Sequence, residues 1–267
     1  MQIKIIASDG LPARSVGPWS EEKLFYLEKY INIFSKSMRK RWEGELYFID
    51  LFAGPGRCIV KGIDKEIDGS PLIALKSPFP FARYFFVEQN EETYEALFQR
   101  YKSHSCAERV ISIQGDCNIH IDDIVRQIPA RSLSLAFIDP TGLDFWYTSL
   151  QKLAKRKVDL IITFPDSMAT GRNFSRLLRS KQPNLLDKVI GDSAWRSCSS
   201  AEDVTRYYCE KLISLGYKEI KLGNEIFIRS DRNLPLYCIL FACKHPLGYS
   251  FWEAIKKIEF DGQRRLI

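Results

Sequence analysis

No run of about 18 apolar residues occurs anywhere in the chain, and the stretch from Met1 to Asp9 lacks the apolar core of a signal peptide. A membrane-spanning helix and a secreted precursor are therefore not expected. The chain reads as cytoplasmic, with no membrane partner. Histidine is scarce, at three residues, and neither His104 nor His120 has a companion at metal-ligand spacing. His245, in His-Pro-Leu-Gly, reads as a loop-capping residue, so no metal site is expected. Cys58, Cys106, Cys117, Cys198, Cys209, Cys238 and Cys243 form an odd set with no C-x-x-C pair, which argues against a zinc site and a disulfide framework. Internal repeats and low-complexity tracts are also missing.

What is present is a globular composition. The chain has 267 residues, 45% of them hydrophobic and 13% aromatic, enough for one large α/β domain without a metal or disulfide staple. A net charge of +6 leans towards an anionic partner such as a nucleic acid, but both signs are mixed along the chain.

In order, residues 1–45 form a lead-in that becomes helical. Ser20 is a cap candidate, and Leu24, Leu27, Tyr30, Ile31 and Phe34 make an apolar stripe through about residue 38, followed by the basic end Arg39, Lys40 and Arg41. Five apolar runs follow as strands: Leu46 to Asp50, Tyr84 to Glu88, Val110 to Ile113, Leu133 to Ile138 and Val158 to Phe164. Residues 57–69 read as a polar loop, with helices expected over 71–76, 91–101, 145–156 and around Ile121 to Ile128. Strands alternating with helices predict a doubly wound, mostly parallel sheet. Residues 165–216 read as a helical insertion. Glu225 to Arg229 with Leu236 to Ala242 predict an antiparallel hairpin, and a closing helix is expected from about Phe251 to Ile258.

The first strand runs into Asp50-Leu51-Phe52-Ala53-Gly54-Pro55-Gly56. Glycines here let the backbone take φ > 0 and approach a ligand. Two ligands are open at this loop. A dinucleotide turn would want G-x-G-x-x-G and a helix start beneath a diphosphate, whereas Gly54-Pro55-Gly56-Arg57-Cys58-Ile59 lacks the third glycine and Asp50 repels phosphate. An S-adenosylmethionine pocket suits the acid better, with Asp50 near the amino group and Phe52, Gly54 and Gly56 beside the nucleoside.

Four successive strands end in an acid: Asp50, Glu88, Asp116 and Asp139. In a parallel sheet those ends share one rim. Glu88 is a candidate for ribose hydroxyls, Asp116 with Cys117 for the adenine, and Asp139 with Pro140 for the chemistry. Arg172 and Asn173, beyond the fifth strand, are candidates for an anionic substrate group.

Phe-Ile-Asp-Leu-Phe-Ala-Gly-Pro-Gly, then Val-Glu-Gln-Asn, Gly-Asp-Cys and Ile-Asp-Pro-Thr-Gly together resemble a class I S-adenosylmethionine-dependent methyltransferase. Tyr47 to Gly56, Asp68 to Leu72, Phe137 to Gly142 and His245 to Gly248 resemble the three-Cys-motif partner family over about residues 19–260. That resemblance implies a methyltransferase-like domain and a second protein with three clustered cysteines, but no substrate. The D-P-T-G-L-D-F-W run departs from the D-P-P or N-P-P pattern with its aromatic residue, and Phe145 and Trp146 offer either a stacking face or core packing. A non-catalytic interaction partner stays open beside the enzyme reading. A nicotinamide oxidoreductase would have to bind a reduced dinucleotide.

Overall fold

The computed structural model describes residues 5–164, 173–180, 183–217, 220, 225–229, 235–258 and 260. A short strand β1 (Arg14–Val16) leads into α1 (Trp19–Met38), whose stripe of Leu24, Leu27, Tyr30, Ile31 and Phe34 is buried. The residue before α1 is Pro18, and Ser20 lies buried inside the first turn instead of capping it.

β2 (Leu46–Asp50) follows, and here the sequence reading needs correction. Residues 57–69 are no loop: β3 (Arg57–Val60) and β4 (Lys65–Asp68) form a hairpin, and β1 pairs with β3 in parallel to make a second, three-stranded sheet. The turn closes through Gly62 at φ +87° and Asp64 at φ +50°, a backbone region where glycine and aspartate are tolerated best.

Next come α2 (Ser70–Leu75), β5 (Arg83–Glu88), α3 (Glu91–Tyr101), β6 (Val110–Gln114), α4 (Cys117–Gln127), β7 (Leu133–Ile138), α5 (Tyr147–Leu153) and β8 (Val158–Phe164). Gly69, not Ser70, is the residue before α2. Among the described residues of the insertion are α6 (Phe174–Arg179), α7 (Leu185–Ile190), a single turn Ala194–Ser197 and α8 (Ala201–Ser214). The antiparallel pair β9 (Ile226–Arg229) and β10 (Pro235–Ala242) precedes α9 (Pro246–Lys256). This last helix starts earlier than the apolar pattern suggested, because Pro246 occupies its first turn and the His245 side chain accepts from the Leu247 amide at 3.1 Å.

The main sheet runs β6-β5-β2-β7-β8-β10-β9, its first five strands parallel and its last two joined antiparallel. Every residue of β2 and β8 is buried, as expected of strands covered on both faces. One face packs Ile121, Ile124, Leu150, Leu153, Val204 and Tyr208 from α4, α5 and α8. The other packs Leu27, Phe34, Leu72, Leu97 and Trp252 from α1, α2, α3 and α9. The architecture is the Rossmann-like, doubly wound class read from the sequence. Its chain order reverses between β2 and β7, and a crevice opens at such a point beyond the carboxyl ends of the strands. None of the helices among the described residues is long and apolar enough to cross a membrane. No cysteine is in a disulfide.

Candidate functional site

A cavity of about 500 Å³ opens at that reversal, beyond the ends of β2, β5, β6 and β7. This volume lies within the range of small-molecule and cofactor sites. Phe52, Gly54, Glu88, Asp116, Cys117 and Asp139 line it, so six of the nine residues singled out for cofactor and chemistry converge on one wall. Asp50, Gly56 and Pro140 do not line it. Asn173 precedes α6 and is also off the cavity, and Arg172 lies outside the described residues.

Asp50 ends β2 with its side chain in the protein, fully buried. Its Oδ1 accepts the Phe52 amide at 3.3 Å, and its Oδ2 is enclosed without a hydrogen bond. Burial pushes this carboxyl up to about 7; Ser70 and the Phe52 amide pull it down, while the charges of Asp139 and Glu88 push it further up. An unsatisfied carboxylate oxygen facing like charges is a place where added positive charge would be welcome.

The glycine loop is braced rather than free. Gly54 takes φ +65° and donates its amide to Glu88 Oε2 at 2.9 Å, while Glu88 Oε1 accepts the Asn90 amide at 2.8 Å. Each carboxylate oxygen keeps a lone pair for a ligand hydroxyl. Gly56, at φ +85°, accepts the Gly69 amide at 2.8 Å and would place a side chain against Leu97 at 3.1 Å. Its role is to fit the loop to α2 and α3.

At the third strand end, Gly115 adopts φ +150° and Asp116 becomes the residue before α4, its Oδ1 accepting the Asn118 amide at 2.8 Å and the Asn118 side-chain amide at 2.9 Å. Cys117 is pushed up to about 12 by burial first and by the Asp116 charge second, so the wall carries a neutral thiol. Asn118 ties this corner to the loop after β7: its side-chain Nδ2 donates to Asp144 O at 2.7 Å, and its Oδ1 accepts the Trp146 amide at 3.0 Å and the Ser149 hydroxyl at 2.9 Å. Phe145 packs into the core, whereas Trp146 lines the cavity with the Lys188 ammonium 4.5 Å above its ring.

Asp139 meets Lys23 from the first turns of α1, with Nζ to Oδ2 at 2.5 Å. Burial alone would raise this carboxyl, but the charges of Lys23 and Arg14 and the Lys23 hydrogen bond outweigh it and hold the group below its ordinary value. Behind it, the Thr163 hydroxyl adds a smaller downward pull on Asp139, the Tyr237 hydroxyl is buried without a hydrogen bond, and the Lys23 ammonium lies 5.1 Å from the Tyr237 ring centre.

The lead-in closes one side. Pro12, Ala13 and Arg14 line the cavity, and Arg14 is the one cationic side chain on its wall among the described residues. Arg100 of α3 fixes this segment. Its guanidinium pairs bidentately with Asp9 at 2.8 Å and donates to the carbonyls of Pro12 at 2.7 Å, Leu11 at 3.2 Å and Pro55 at 2.6 Å. One buried side chain thus stitches the lead-in to the glycine loop. Sequence reading missed Arg14, Lys23 and Arg100, because no local pattern reports a contact spanning 116 residues such as Lys23 with Asp139.

The wall carries four carboxylates, Glu88, Asp116, Asp139 and Asp144, against one guanidinium. With Asp139 already paired to Lys23, the other three carboxylates against Arg14 suit a ligand that is mostly cationic and bears one anionic group. Among the described residues, no group of three or more His, Cys, Asp or Glu could hold a metal ion.

Neither a protein-family model nor a curated protein matches the chain. Solved structures do. A Legionella pneumophila protein of family DUF519 superposes at TM-score 0.54 with 12% identity, covering 90% of this chain and 94% of that one. An O-methyltransferase from Bacillus cereus in complex with S-adenosylhomocysteine gives TM-score 0.49 and 13% identity over 89% and 86%. The O-methyltransferase TomG from Streptomyces achromogenes, in complex with S-adenosylmethionine, gives 0.44 and 12% over 80% and 79%. The Legionella pneumophila protein shares the fold of this chain along nearly its whole length.

Proposed function

We propose that the cavity binds S-adenosylmethionine and that the chain is a methyltransferase acting on an amine or hydroxyl of an anionic molecule such as a nucleic acid. The observation that carries this reading is the charge pattern of the wall: four carboxylates and a single guanidinium around a glycine loop. It complements a ligand with a sulfonium, an ammonium and one carboxylate. The net charge of +6 supports an anionic acceptor.

The residues divide the ligand as follows. Glu88 accepts from ribose hydroxyls with the lone pairs left by the Gly54 and Asn90 amides. Asp116 Oδ2 accepts from the adenine amino group, with Leu51, Val87 and Leu143 as apolar neighbours of the base. Arg14 pairs with the methionine carboxylate, and the buried Asp50 adds negative potential. Bound there, the cofactor supplies an electrophilic methyl group on a sulfonium. Asp139, kept ionised by Lys23, would take a hydrogen bond from the N–H or O–H of the acceptor and hold it in place, the acceptor's proton passing on to water. A carboxylate with a depressed pKa is a weak base, so orientation is its main contribution.

Calorimetric titration of S-adenosylmethionine into the parent chain, Arg14→Ala and Glu88→Ala tests the assignment. One site is expected in the parent, with affinity falling about tenfold or more in each variant, as for a lost charge-assisted hydrogen bond. No heat with the parent ends the enzyme reading. A second reading, a non-catalytic partner of a protein with three clustered cysteines, draws on the same Lys23–Asp139 pair, which ties up the carboxylate. Cofactor binding with no methyl transfer to nucleic acid, together with association with such a protein, would select it.

A further inference from the structure

The molecule has a second cavity of about 550 Å³ at the opposite end of the sheet, where Leu133 and Val158 begin β7 and β8. Its walls come from the last turns of α1, the bend after that helix and the start of α9. Most of the lining is apolar, with Phe34 and Met38 buried and Leu247, Trp42 and Phe251 partly buried.

Two features make this more than a packing gap. The first is a carboxylate in the wall: Asp159 is buried, and its Oδ2 accepts the Tyr30 hydroxyl at 2.9 Å. A side chain at Gly248 would lie 3.0 Å from the same oxygen, so the glycine lets α9 pack closely against the carboxyl. The second is the charge at the mouth. Arg41 and Lys157 are exposed, and the Lys157 ammonium lies 4.9 Å from the Trp42 ring centre. Deeper in, the Lys244 ammonium is held by the carbonyls of Ala154 and Arg156. Of the basic residues at the end of α1, Arg41 lines this chamber, while Arg39 and Lys40 are exposed.

We propose that this second cavity is a binding site for small organic anions with an aromatic body, the rings seated against Trp42, Phe251 and Phe34 and the anionic group at Arg41 and Lys157. Asp159 then meets a polar atom on the buried end of the ligand. A cavity of this volume takes one compact molecule, and Arg41 and Lys157 supply its cations beside the Trp42 ring. This proposal is independent of the cofactor assignment at the other rim.

Fluorescence titration of the full chain with anilinonaphthalene sulfonate, an aromatic ring system with one anionic group, tests it. Saturation at one dye per chain is expected, unaffected by excess S-adenosylhomocysteine. The exposed double variant Arg41→Glu/Lys157→Glu, which leaves the core untouched, should weaken the dye about tenfold or more, as reversal of two exposed charges implies. Anilinonaphthalene without the sulfonate should bind parent and variant alike. Several equivalent dye sites, no effect of the charge reversal, or displacement by S-adenosylhomocysteine would overturn the proposal. So would displacement by an equimolar oligonucleotide, which would make the face a nucleic-acid surface.

Discussion

Replacing Asp159 by Asn removes a titration that the fold has displaced. Burial pushes the Asp159 carboxyl from its ordinary 3.8 up to about 7, against a smaller downward pull from the Tyr30 hydrogen bond. A raised carboxylate pKa means that the native state keeps a proton the unfolded chain has already released. Stability therefore falls as pH rises from the unfolded pKa through the folded one. The slope approaches about 1.4 kcal/mol per pH unit, so between about pH 5 and about pH 8 this one group costs roughly 3 kcal/mol. Asn cannot titrate but still offers an oxygen to the Tyr30 hydroxyl. Denaturant unfolding of parent and Asp159→Asn across that pH range is the assay. The variant should gain on the parent by roughly 3 kcal/mol from the acid end to the alkaline end, while the parent-like slope it retains belongs to other groups, Asp50 among them. Parallel stability curves for the two proteins would refute the reasoning, because they would mean that Asp159 titrates alike in both states.

Arg100→Ala should release the lead-in from the glycine loop, lowering stability by about 2–4 kcal/mol and weakening any ligand in the first cavity; denaturant curves and calorimetry read the two effects. Lys23→Met removes the ammonium that holds Asp139 down, so the Asp139 carboxyl should titrate at higher pH, visible by carbon-detected NMR; an unchanged titration would contradict the ion pair as its cause. Gly191→Ala combines φ +92° with a side chain 2.3 Å from the Tyr147 ring, so thermal melting should show a loss of about 1–3 kcal/mol, whereas Gly62→Ala, with open space around it, should lose only the cost of its positive φ.

The central strands were legible because they are buried on both faces and so read as continuous apolar runs, and Leu46–Asp50 and Val158–Phe164 match residue for residue. The hairpin over Arg57 to Asp68 was not, because its strands are four residues each and its parallel neighbour β1 lies some forty residues earlier. Placing the acids on one rim followed from strand polarity. Which of them turned outward did not: Asp50 sits on the inward side of its strand end, and period-2 alternation within a fully buried strand carries no mark of face. Arg14, Lys23 and Arg100 were invisible for a different reason, since each acts across long sequence separations set by the β1–β3 pairing and the packing of α1 and α3. The start of α9 carries a signal of its own, a proline in the first turn after a side chain able to cap, which lies outside the apolar stripe.

The most direct test of the cofactor assignment is a crystal of this chain soaked with S-adenosylhomocysteine. Density is predicted beyond the ends of β2, β5, β6 and β7, with the ribose at Glu88, the base beside Asp116 and Cys117, and the carboxylate on Arg14. An empty first cavity at saturating ligand, or density confined to the opposite rim, would contradict it.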